Sequence, residues 1–167
     1  AEKGSQPVRG VDKKVKSLIL TAVILVCTQP VSAAETTEHG HHPHHLALAT
    51  GIAWLNSKNS VYLGADYVYS WPNKWGVGAF YEEVNGDFDL QVIGLLFSRK
   101  FEGGWKFNFG PGMERKIKKN KNLFIFRLQG GYDWHAGHWS WGPQLTVDLI
   151  EDGNTTVYAG FSVGYGW

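Results

Sequence analysis

The chain has 167 residues, a length that suits one domain. Glycine (21), tryptophan (8), phenylalanine (9) and tyrosine (7) are abundant, which favours strands over helices. A formal net charge of only +1 gives no pointer to nucleic acid.

Residues 1–33 read as an upstream extension and a secretory signal peptide. Lys13, Lys14 and Lys16 form a basic start, and Ser17 to Cys27 is an apolar run well short of the ~20 residues of a spanning helix. Val31-Ser32-Ala33 supplies the small residues of a cleavage site, so the mature chain is expected to begin at Ala34. Translation is expected to start at Val11. Cleavage removes Cys27, the only cysteine, so no disulfide is expected. From Ala34 onward there are 11 Lys and Arg against 13 Asp and Glu, a net charge of −2.

Residues 34–45 form a polar, flexible tail carrying His39, His41, His42, His44 and His45. Residues 46–167 alternate. Eight strands are predicted: Leu46–Leu55, Val61–Ser70, Trp75–Val84, Phe88–Ser98, Trp105–Glu114, Leu123–His135, Trp139–Ile150 and Thr155–Trp167, with Gly, Pro, Asn and Asp at most breaks. No helix is expected among them. Connections this short force antiparallel neighbours, so the expected fold is all-β, an eight-stranded up-and-down barrel.

Such a barrel is either soluble, with its apolar face inside as in lipocalins, or membrane-spanning, with that face against lipid. The polar faces decide. In Trp105–Glu114 they carry Lys106, Asn108, Gly110, Gly112 and Glu114; in Leu123–His135, Arg127, Gln129, Gly131 and Asp133. Glycine mixed with both signs of charge suits a narrow lumen better than a solvated sheet. Seven of the eight tryptophans then fall at one rim, where indole favours the membrane interface; Trp54 is the exception.

Thr155 to Trp167 alternates throughout and ends on an aromatic residue, with Ser162 where a glycine is usual. It resembles the closing strand of bacterial outer-membrane barrels, and residues 46–167 resemble in architecture the small barrels of the OmpX type and the OmpA membrane domain. The resemblance implies insertion by the barrel-assembly machinery, outer-membrane location and contact with its lipid and lipopolysaccharide. It transfers no function.

Four constellations are candidates. The lumen set is Asp66, Glu82, Asp89, Lys106, Glu114, Arg127, Asp133 and Asp148, expected as a structural network with acids around Lys106 and Arg127. The histidines of the tail together with His135 and His138 are expected at one periplasmic mouth, where Zn, Ni or Cu would be the cofactor of an otherwise cofactor-free protein. Arg115, Lys116, Lys118, Lys119 and Lys121 form a basic outer loop suited to lipopolysaccharide phosphates. His138-Trp139-Ser140, followed by Asp148 and Glu151, resembles the His-x-Ser pair of the lipid A deacylase barrels, implying an acyl hydrolase. The expected function is a non-enzymatic integral outer-membrane barrel with a filled polar lumen. Metal binding and acyl hydrolysis are the alternatives.

Overall fold

The computed structural model describes residues 42–55, 58–86 and 89–167. The leader, most of the histidine tail and its His39 and His41 lie outside the described residues. The strands are β1 (His44–Leu55), β2 (Lys58–Ser70), β3 (Trp75–Val84), β4 (Leu90–Lys100), β5 (Trp105–Lys116), β6 (Lys121–Tyr132), β7 (Trp134–Ala136), β8 (Trp139–Ile150) and β9 (Thr155–Gly166). Each pairs antiparallel with its neighbours, and β9 pairs with β1, which closes the sheet.

Sequence predicts one strand where β6 and β7 stand. Both pair with β8 in a single continuous register, and the break falls where Pro143 stands opposite Tyr132. Proline has no N–H to give the ladder. Pro111 does the same between β4 and β5, where pairing skips from Gly94–Gly112 to Phe97–Phe109. The barrel is therefore eight-stranded, with a sixth strand in two pieces. Two one-turn 3₁₀ segments, Glu102–Gly104 and Ile117–Lys119, sit in the turns; they are the only helical residues among those described.

The register gives the shape. From His44 the paired residues run Tyr69, Val77, Phe97, Phe109, Leu128, Val147 and Val157, and return to β1 at Trp54, ten residues along. A stagger of ten over eight strands, at ~3.3 Å per residue and ~4.8 Å between strands, sets a tilt of about 40° and a radius of about 8 Å. A twelve-residue strand such as β9 then rises about 28 Å, enough for a ~25 Å apolar band.

Strand alternation sorts the side chains inside out. Leu48, Val61, Leu63, Ile93, Phe124 and Leu145 are 53–63% exposed, whereas Glu114, Arg127 and Asp148 are 0% exposed. A soluble barrel would reverse this. The end that carries His44 and Trp167 is ringed by exposed Trp71, Trp75, Trp105, Trp134, Trp139 and Trp167. At the opposite end only two to five residues separate successive strands.

The lumen is not uniformly polar. Toward the end away from His44 and Trp167 it is packed with Val84, Leu90, Val92, Leu123, Ile125 and Ile150. Glycines on inward positions make room for the larger side chains: a Cβ on Gly64 would strike Glu82, and one on Gly94 would strike the Phe80 ring.

Candidate functional site

Arg127 is the centre of the lumen. It projects from β6, donates Nε to Asp148 Oδ1 at 2.8 Å, and donates Nη2 to Asp148 Oδ2 and Glu82 Oε2, each at 2.7 Å. Register places Asp148 directly opposite on β8; Glu82 reaches across the lumen from β3. The guanidinium lies 3.9 Å from the Phe80 ring centroid and 5.4 Å from that of Tyr158. With Arg127 fully buried, two carboxylates and two ring faces stand in for the solvation it loses. With Phe80, Tyr62 and Tyr158 fully buried around it, this layer fills the bore.

Below it, toward the tryptophan-ringed end, comes an amide layer. Gln129 donates to Asp66 at 3.4 Å and to Gln144 at 3.2 Å, and accepts from Asn108 at 2.8 Å. Gln144 donates to the Tyr62 hydroxyl at 3.3 Å. Next is the ion pair of Lys106 with Asp133, 2.8 Å apart. Sequence pattern places Arg127 and Lys106 inside, and each holds acids there. Two members of the expected set behave differently. Glu114 takes neither cation: it sits between Val92 and Leu123 in the apolar part, with Lys116 Nζ at 3.4 Å. Asp89 is not in the lumen. It lies in the turn before β4, at positive φ, and pairs with Lys118 at 2.9 Å on the rim.

The basic outer loop is partly neutralised. Lys116 also lies 3.5 Å from Asp152, and Lys118 reaches Asp89. Arg115 projects outward at the end of β5, Lys121 lies opposite Lys116 on the inward phase of β6 and is exposed at the mouth, and the backbone of Lys119 lies in the 3₁₀ turn.

The described histidines gather at the other mouth without converging on one point. His44 faces outward, bonds the Tyr67 hydroxyl at 2.8 Å and stacks on Trp167. His45 faces inward, its Nε2 2.8 Å from Ser140 Oγ. His138 donates Nδ1 to the Gly166 carbonyl at 2.8 Å and packs against His42, ring centroids 4.3 Å apart. His135 stands opposite Ser140 in the β7–β8 ladder. Among the described residues no three His, Cys, Asp or Glu side chains form a group that could hold a metal ion. The strand period explains the division: adjacent His44 and His45 must point to opposite sides of the wall.

The acyl-hydrolase pair is not formed either. Ser140 is hydrogen-bonded to His45 rather than His138, whose Nδ1 is taken by Gly166. Asp148 is eight residues further up β8, about 26 Å along the strand, and is committed to Arg127. The His45–Ser140 contact, which joins residues 95 apart in sequence, has no local signal; only barrel closure through β9 brings it about.

An exposed apolar wall and a buried charged interior define an inside-out, transmembrane β-barrel of the small outer-membrane class. Solved structures share that architecture. Neisserial surface protein A is 7% identical, with a TM-score of 0.50, 74% of this chain and 96% of that one being covered. Ail, the attachment invasion locus protein of Yersinia pestis, is 10% identical with a TM-score of 0.49, over 74% of this chain and 96% of Ail. Its backbone structure in a phospholipid bilayer nanodisc is 12% identical with a TM-score of 0.48, covering 74% and 99%. At these identities the likeness is one of fold. No protein-family model and no curated protein sequence matches the chain.

Proposed function

We propose that this chain is an integral barrel of the bacterial outer membrane that acts through its surfaces, neither as an open pore nor as an enzyme. The observation that carries the reading is the filled bore. Arg127, Glu82 and Asp148, clasped between Phe80 and Tyr158, occupy the mid-lumen, and an apolar plug closes one side of them. Eight strands enclose only enough space for side chains. A barrel so filled offers an ion no hydrated path.

The test is reconstitution of the folded barrel, expected to migrate faster unheated than boiled on a denaturing gel, into planar bilayers in molar KCl. The expected record is a flat baseline, and steady conductance steps would refute the filled-bore reading. Recovery from cells as a soluble protein would refute the membrane reading.

The rim opposite the tryptophan ring supports contact with lipopolysaccharide. Arg115 points outward where a strand meets the headgroups and Lys121 stands exposed at the mouth, and an anionic phosphate is the partner such cations would take. Lys116 and Lys118, engaged by Asp152 and Asp89, contribute less. The turns at this rim are short, so a role in the envelope rests on the barrel wall and its rims rather than on extended loops.

A further inference from the structure

The tryptophan-ringed mouth holds a cavity of 180 Å³, lined among others by His42, His45, Lys74, Lys100, His138 and Ser140. That is room for roughly six waters at ~30 Å³ each, or for one tetrahedral oxyanion with part of its ester group. Its charges do not balance. Asp133, on the lumen side, is engaged by Lys106 at 2.8 Å, and Glu102, outside, by Lys74 at 3.0 Å. Lys100, half-buried at the end of β4, has no carboxylate within 4.0 Å among the described residues. The cavity therefore carries a surplus ammonium, with a second ammonium and a serine hydroxyl around the same space.

A half-buried ammonium with no carboxylate in ion-pair range has lost hydration that the more distant Asp133, already held by Lys106, replaces only in part. An anion in the cavity would supply it. The frame is also fixed in advance. Backbone pairing of Lys100 N–H to the Lys74 carbonyl at 2.9 Å couples the two cation-bearing segments. The Ser140 hydroxyl is held by His45, and the His138 ring by Gly166. Groups already immobilised cost little further entropy when a ligand binds. A transition metal suits the same space poorly, since two ammonium groups repel it and two of its imidazoles, His45 and His138, are engaged by protein atoms.

We infer that this cavity binds a phosphate group, with Lys100 as its principal counter-ion and Lys74 and Ser140 as further donors. Two sources share that chemistry. One is a phospholipid headgroup: Trp71 both lines the cavity and stands 42% exposed in the tryptophan ring, so the site lies at headgroup level. The other is free phosphate or a soluble phosphate ester.

The test uses the mature barrel in a maltoside detergent, which contains no phosphate. Inorganic phosphate and short-chain phosphatidylglycerol, below its micellar concentration, are titrated separately by calorimetry. Saturable binding at one site is expected for at least one of them. Lys100→Gln should weaken it tenfold or more, and Lys74→Gln a few-fold, while Lys116→Gln at the far mouth changes it less than twofold. Retention of the heat-modifiable band shows that each variant is folded. Tighter binding of the lipid, with displacement of phosphate, assigns the site to a headgroup; binding of phosphate alone assigns it to a soluble ligand. Absence of saturable binding by both overturns the inference. So does an equal loss in Lys100→Gln and Lys116→Gln, which would mean diffuse attraction only, or binding of Zn²⁺ without binding of phosphate. None of these outcomes depends on whether the bore conducts.

Discussion

Arg127→Ala is the substitution that most directly tests the lumen. It deletes the hydrogen bonds of 2.7, 2.7 and 2.8 Å to Glu82 and Asp148 and leaves those two carboxylates, 1% and 0% exposed, facing each other without a cation. Breaking a buried ion pair from one side costs about 3–5 kcal/mol, most of it the penalty on the stranded charge. At a urea dependence of ~2 kcal/mol per molar, the unfolding midpoint should fall by about 2 M. Leu145→Ala on the outer wall removes more apolar surface but should shift the midpoint less, since that side chain is 53% exposed to what is hydrocarbon in the membrane. Adding Glu82→Gln and Asp148→Asn to Arg127→Ala should recover much of the loss, because the charges then vanish together. The assay is urea unfolding in lipid vesicles, followed by tryptophan fluorescence and the gel shift. A larger loss in Leu145→Ala than in Arg127→Ala would show that the two faces of the wall are assigned the wrong way round. No recovery in the triple variant would show that packing on Phe80, rather than charge, makes Arg127 matter.

Gly142→Ala should abolish or severely slow folding into vesicles, since a Cβ there would overlap the Tyr132 carbonyl, while Gly130→Ala, with nothing within 4 Å, should fold as the parent does; the gel shift compares them. Edman sequencing of protein from the outer-membrane fraction should begin at Ala34 or Glu35, and a mature chain retaining Lys13 would contradict the leader. Lipopolysaccharide should raise the unfolding temperature of the parent barrel, and Arg115→Gln with Lys121→Gln should remove at least half of that rise while leaving the unfolding temperature in phosphatidylcholine unchanged.

Alternation was enough to locate the wall. Side-chain direction along a strand is a local property with period two, so Phe124 and Leu145 outside and Arg127 and Asp148 inside follow from the order of residues alone. The inside-out sorting follows as well, because glycine and charge on one face and long apolar residues on the other leave only one side for lipid. Partners were beyond that reach. Which acid meets Arg127, that Lys116 serves Glu114, and that Asp89 stays on the rim all depend on register, and register is closed only by the whole circuit. The stagger of ten residues that sets His44 level with Trp54 is a sum over eight pairings, and a slip at any one would change every neighbour across the bore. The histidine mouth shows the same division. Sequence places the imidazoles at one end; closure of β9 on β1 brings His45 to Ser140, and the period of the strand turns His44 away to the girdle.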